Sequence, residues 1–202
     1  MNIDIISLLK SFINFEKLLL YIIYAILGGI GSFVGWVVWA YNSLVQVRRR
    51  ADEAWANIAT QLKRRSDLIP NLVESVRGYA AHERELLENV TKARSNLMSA
   101  GAPEDQLKAE NQLSGLLKSL FAVAENYPDL KANQNFLELQ RELANIENAI
   151  QQDRRLYNEA VRELNVKAES VPLNFVAIFF RFKKAEFIDV SEAERAVPKV
   201  KF

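Results

Sequence analysis

The chain has no cysteine and a single histidine. The first absence removes disulfides, thiol nucleophiles and cysteine-held metal sites. The second counts against a ferritin-like di-iron centre, which uses two Glu-x-x-His pairs among inward carboxylates; Glu-x-x-His does not occur even once. No Ser/His/Asp arrangement, phosphate loop or metal-ligand spacing stands out. Seven glycines, with Gly28, Gly29, Gly31 and Gly35 in one apolar run, and five prolines leave few places to break a helix, so an all-α protein is expected. Neither sign of charge is in excess: 26 basic residues face 25 acidic ones, mixed along every amphipathic stretch. A nucleic-acid binder shows a basic excess or a basic stripe interleaved with aromatics, so no nucleic acid is expected as a partner. Nor is any cofactor.

Leu18 to Tyr41, LLLYIIYAILGGIGSFVGWVVWAY, is free of charge. At about 1.5 Å per residue it covers the roughly 30 Å hydrocarbon core with some tilt. Tyr21 at one end and Trp36, Trp39 and Tyr41 at the other form aromatic belts at the two interfaces. The run is too long for a signal-peptide core and lacks a clear small-residue cleavage site, so it reads as an uncleaved, single-pass anchor. Within it, Gly31 and Gly35 form G-x-x-x-G, and Gly28 with Ser32 a second small pair. That spacing lets two helices approach closely in lipid, so self-association is expected. Arg48, Arg49 and Arg50 after the run, against Lys10 and Lys17 before it, tilt the helical domain toward the cytoplasmic side. Residues 1–17 are either a short interfacial helix or an unstructured terminus.

Beyond the anchor, apolar residues recur every three or four positions in four segments, about Asn42 to Arg65, Pro70 to Ser99, Glu104 to Asn126 and Leu130 to Ser170. Together they predict an antiparallel up-down four-helix bundle over residues 42–170. Pro70 fits the first turn of a helix, with Ser66 or Asp67 as N-cap, so the chain is expected to turn there. The rival is one continuous helix kinked at Pro70; balanced outbound and return lengths favour the turn. Residues 171–202 form a C-terminal amphipathic segment and tail. There Phe175, Val176, Ile178, Phe179, Phe180 and Phe182 accompany Arg181, Lys183 and Lys184. Either they meet the membrane interface, or they close the open end of the bundle. The charged end of the tail reads as extended.

Three polar groupings bear on a site. Glu83, beside His82, falls at a seam position between Tyr79 and Leu86 and is expected to pair with Arg154, since an unpaired buried charge is costly. Arg64, Arg65, Asp67 and Asn71 crowd the expected turn at Pro70, as a partner-docking face or as a solvated, mutually paired turn. Arg154, Tyr157 and Asn158, with Glu147 and Asn148, form a polar layer of the kind that sets register and partner choice in bundles.

The run LKRRSDLIPNLVESVRGYAAHE (Leu62 to Glu83) resembles the LemA family of bacterial membrane-anchored helical proteins. So do YNSLVQVRRRADEAWANI (Tyr41 to Ile58), YPDLKANQNFLELQRELANIEN (Tyr127 to Asn148) and the cluster Arg154, Tyr157, Asn158, Ala160 and Val161. The resemblance covers about Tyr41 to Phe202; Gln152 and Asp153 stand where smaller apolar residues are common. It implies a bacterial inner-membrane location but no agreed chemistry. Some relatives act in forming organelle-like membranes, as in magnetosomes. The expected function is that of a membrane-anchored scaffold or docking protein, homo-oligomeric at the lipid bilayer and able to engage other membrane proteins. The alternatives are a membrane-tethered, carboxylate metal-dependent enzyme and an adaptor for a membrane protease or sensor.

Overall fold

The computed structural model describes residues 5–80 and 82–188, with side-chain surroundings from residue 15 onward. Among the described residues there is helix and no strand. The elements are α1 (Ile5–Arg77), α2 (Arg84–Ser99), α3 (Pro103–Ala124), α4 (Pro128–Lys131), α5 (Gln134–Glu169) and α6 (Leu173–Phe179). Local chemistry accounts for the starts. Pro103 opens α3 with Glu104 and Asp105 in its first turn, where a missing amide costs nothing and acid suits the helix dipole. Pro128 does the same for the single turn of α4. Asn133 then caps α5, its Oδ1 accepting the Phe136 amide at 3.1 Å. The last long helix therefore starts at Gln134, not at Leu130.

The larger difference lies at Pro70. The expected turn there is absent: α1 runs through Pro70 without a break and ends at Arg77. A proline inside a helix leaves the carbonyl four residues earlier without its amide donor. That carbonyl is Ser66 O, and it accepts a hydrogen bond from Arg94 Nε of α2 at 2.7 Å. A side chain from the next helix thus replaces the missing donor, while the proline ring itself stays exposed. The chain reverses instead between Gly78 and Glu83, starting with the Tyr79 and Ala80 amides on the Val76 carbonyl at 3.0 and 2.8 Å. At the other end, α1 passes Lys17 as uninterrupted helix from Ile5, whereas Met1–Asp4 lie outside the described residues.

The chain divides into two compact units, and α1 and α5 contribute to both. One comprises Arg50–Ala160 and the chain from Phe187. In it the long helices share a core, with Ile58, Leu62, Ile69 and Leu72 from α1, Leu87 and Val90 from α2, Leu113 and Leu117 from α3, and Leu143, Ile146 and Ile150 from α5, joined by Leu130 of the single-turn α4. The α1 and α5 segments run antiparallel: Trp55 meets Tyr157, Arg64 meets Glu142 and Tyr79 meets Asn133 as one helix advances and the other returns. The arrangement is consistent with the expected bundle, with its helices divided differently.

The other unit joins the chain up to Arg49 with Val161–Glu186. Ala40, Leu44 and Val47 of α1 pack against Leu164 of α5 and Val176 and Ala177 of α6. Only that inner face of α6 is covered: Phe175, Ile178 and Phe179 remain 65%, 73% and 79% exposed. Phe175 and Phe179 therefore do not plug a bundle end. The predicted charged, extended tail lies outside the described residues from Asp189 onward.

Candidate functional site

The most polar part of the four-helix core is built around Arg65. Its place three residues after Leu62 and four before Ile69 on the apolar stripe of α1 turns it inward, and it is 4% exposed. Arg65 pairs with Glu110 of α3 and with Glu147 of α5, the latter at 2.7 Å. Ser114 Oγ donates to Glu110 at 2.9 Å, and Gln151 Nε2 donates to Glu147 at 2.9 Å. Arg154, also buried, adds its positive charge to both carboxylates.

Burial pushes the Glu110 carboxyl above the ordinary carboxylate range, against the pull of Arg65 and the Ser114 hydrogen bond. Glu147 is less enclosed. Burial pushes it upward too, but the Gln151 hydrogen bond, Arg65 and Arg154 outweigh that and hold its carboxyl below the ordinary range. The two acids of one cluster are thus driven apart. Each carboxylate is engaged by an arginine, which suits a layer that enforces helix register better than one that binds a metal. Among the described residues no three His, Asp or Glu side chains gather as metal ligands.

Two of the sequence expectations need correction here. Arg65 cannot belong to an exposed docking face, because it is sealed in this layer; Arg64, Asp67, Pro70 and Asn71 alone are exposed, with Arg64 bridging to Glu142 at 3.1 Å. Glu83 does not pair with Arg154. It precedes α2 in the connector and accepts a hydrogen bond from Tyr127 Oη at 3.2 Å, while neighbouring Tyr79 Oη accepts one from Asn133 Nδ2 at 3.0 Å. These contacts tie the connector after α1 to the turns on either side of α4. His82 is exposed beside them. Glu110 was not anticipated, although it sits three residues before Leu113 on the apolar stripe of α3 and was legible by spacing alone.

Asn158 has a different task from the helix-to-helix contact its position suggests. Its Nδ2 donates to the Ile188 carbonyl and its Oδ1 accepts the Ile188 amide, both at 2.9 Å, while Ile188 itself enters the core. One side-chain amide thereby satisfies both backbone groups of one residue. Asn158→Ala is expected to cost about 1–3 kcal/mol and to accelerate hydrogen exchange at the Ile188 amide, read by mass spectrometry. Tyr157, next to it, packs edge-on against Trp55 at 6.1 Å.

In the unit formed by the first half of α1, the end of α5 and α6, the membrane-interface candidates come together. Phe180 and Phe182 place their rings 4.7 and 5.8 Å from Tyr41. Phe33, Trp36 and Val37 of α1 and Phe175, Phe179 and Phe180 enclose an apolar groove of about 540 Å³. Trp39 is exposed. Arg181, Lys183 and Lys184 follow directly and are exposed, Lys184 bridging to Glu169 at 2.5 Å. On α1, a Cβ added at Gly28, Gly31 or Gly35 would meet nothing within 4 Å. Ser32 Oγ donates to the Gly28 carbonyl at 2.9 Å, so that hydroxyl is satisfied within its own helix.

The profile of the LemA family matches residues 54–202. Magnetosome protein MamQ 2 of Paramagnetospirillum magneticum is 23% identical over 188 residues, covering 80% of this chain and 69% of its own. Protein LemA of Metamycoplasma hominis is 28% identical over 167 residues, covering 82% of this chain and 76% of its own. Magnetosome protein MamQ of Magnetospirillum gryphiswaldense is 21% identical over 182 residues, covering 77% and 67%. With the family profile spanning well over half of its length, the chain belongs to the LemA family.

Proposed function

We propose that this protein is a membrane-anchored helical scaffold that associates with copies of itself at the bilayer and organises the membrane around it. The observation that carries this reading is the first half of α1. A stretch within Phe15–Arg77 is long and apolar enough to cross a membrane, and none of it is buried inside the molecule. Side chains such as Leu18, Ile22, Leu27 and Phe33 are half exposed or more, a continuous apolar surface that water tolerates poorly and lipid accepts. The open Gly31–Gly35 face supplies a contact for a second copy. Two of the relatives above carry the name magnetosome protein, which supports a role in shaping or populating a membrane. The exposed Arg48, Arg49 and Arg50 favour a helical domain on the cytoplasmic face of a bacterial inner membrane, by the positive-inside rule.

Replacing Gly31 and Gly35 together with isoleucine tests the assembly. Energy transfer between fluorescently tagged full-length copies in native membranes should fall several-fold while membrane insertion is retained. Unchanged transfer overturns self-association through this face. Crosslinking in the same membranes addresses the exposed Arg64, Asp67, Pro70 and Asn71 surface: a scaffold captures itself, whereas consistent capture of one other membrane protein in preference marks an adaptor.

A further inference from the structure

The apolar groove between the first half of α1 and α6 has two features that together specify an occupant. First, its walls, which include Phe33, Trp36, Val37, Phe175, Phe179 and Phe180, are apolar apart from the Trp36 indole N–H, too little to orient a water-soluble ligand. A volume of about 540 Å³ lies within the roughly 300–1,000 Å³ range of small-molecule sites. Phe33, Trp36 and Val37 belong to the uncharged run, so on the anchor reading above, on which this inference rests, the groove opens into hydrocarbon. Second, exposed cations follow the groove's wall directly in the chain: Arg181 and Lys183 come just after Phe180. Phe180 and Phe182 hold their rings against Tyr41, in the aromatic belt that closes the Leu18 to Tyr41 run, so Arg181 and Lys183 come level with that belt, at headgroup depth.

Arg181 is held there by an unusual backbone. At the end of α6 the Phe182 amide donates to the Ala177 carbonyl at 2.9 Å and the Arg181 amide to Ile178 at 3.1 Å, a Schellman-type closure. This closure puts Arg181 at φ 57, in the left-handed region where glycine is the usual residue and an arginine sits at a cost. Helix termination alone would be better served by glycine. A guanidinium at this point makes sense if its charge is used. Lys184 is already committed to Glu169, and Glu163 to Lys167; among the described residues no acid pairs with Arg181 or Lys183.

We infer that the groove between α1 and α6 is a binding site for one anionic phospholipid, its acyl chain lying against Trp36 and the phenylalanines and its phosphate meeting Arg181 and Lys183. The cations select charge and the groove retains the chain, so the site distinguishes a headgroup carrying net negative charge from a zwitterionic one.

The chain has three tryptophans and no cysteine, which makes the test direct. Trp39→Phe with Trp55→Phe leaves Trp36 as the sole reporter in the full-length protein. It is reconstituted into phosphatidylcholine vesicles containing increasing fractions of lipid brominated on the acyl chain, either phosphatidylglycerol or phosphatidylcholine. Half-maximal quenching should require on the order of tenfold less brominated phosphatidylglycerol than brominated phosphatidylcholine. Lys183→Gln and Arg181→Gly should each erode that preference. Glycine suits φ 57, so Arg181→Gly keeps the fold, and its thermal unfolding temperature should not fall; a lost preference is then not a folding defect.

Equal quenching by the two lipids overturns the site while leaving the anchor in place. A preference that survives both substitutions also overturns it, by placing the selectivity on other cations such as Arg48 to Arg50. No quenching by either lipid, without crosslinking between copies through Phe175→Cys, overturns the anchor reading itself. Shielding of Trp36 from both lipids together with efficient Phe175→Cys crosslinking assigns the groove to a second copy and overturns the lipid site.

Discussion

Exchanging Pro70 for alanine should stabilise the four-helix core by about 2 kcal/mol. A proline inside a helix costs about 3 kcal/mol relative to alanine, through its missing amide and the crowding of its ring against the preceding turn. Part of that cost is already offset here, because Arg94 Nε donates to the orphaned Ser66 carbonyl. The same geometry predicts strong coupling between the two residues. With Pro70 in place, Arg94→Met leaves a buried carbonyl without a donor and should cost about 1–3 kcal/mol. In the Pro70→Ala background the helix supplies its own donor, and Arg94→Met should cost only a few tenths. The full double-mutant cycle, followed by urea unfolding of the detergent-solubilised chain with far-ultraviolet circular dichroism, reads this directly. Equal costs in the two backgrounds would show that Arg94 acts on α1 in some other way.

Removing Arg65 should be more damaging. Arg65→Met strands Glu110, which is 1% exposed, without its main positive partner, and breaking one side of a buried ion pair costs about 3–5 kcal/mol. Replacing both partners, Arg65→Met with Glu110→Leu, should recover most of that loss, since an apolar pair of similar volume leaves no charge to desolvate. Glu147 remains partly exposed on its side chain and can turn to water.

The pH dependence of the two acids differs in sign. Glu110 has a raised folded pKa, so its contribution is complete below the unfolded value of about 4.3 and is lost as pH rises through the folded value. The stability difference between the native chain and Glu110→Gln should therefore shrink as pH rises above about 4.3. Glu147 has a lowered folded pKa, so its contribution is present above about 4.3 and lost as pH falls through the folded value. For Glu147→Gln the difference should grow as pH rises toward about 4.3 and then level off. Unfolding curves at a series of pH values separate the two.

Different parts of this protein were legible in the sequence for different physical reasons. The long apolar stretch of α1 and the all-helical class follow from one-dimensional properties, an uninterrupted apolar run and a three-to-four-residue apolar period, that need no partner to be recognised. The Glu110 position was readable in the same way, from its place on the α3 stripe. The fate of Pro70 was not, because whether a helix survives a proline depends on what reaches the orphaned carbonyl, and that donor comes from another helix. Nor could the pairing of Glu83 be read, since a connector residue follows no periodicity and meets Tyr127 only through the meeting of two turns.

From its residues alone, then, this chain declares an uncharged helix fit for a bilayer, amphipathic helices beyond it, and an aromatic and cationic stretch near the end of the described chain. Hydrophobic patterning is a local property, and it survives being read without coordinates. Tertiary structure alone decided that α1 continues to Arg77, that Arg65 turns inward to join Glu110 and Glu147, and that α6 folds back beside Tyr41 to make a groove. Each of those depends on a long-range hydrogen bond, ion pair or ring contact, whose energy comes from groups far apart in the chain and leaves no periodic trace along it.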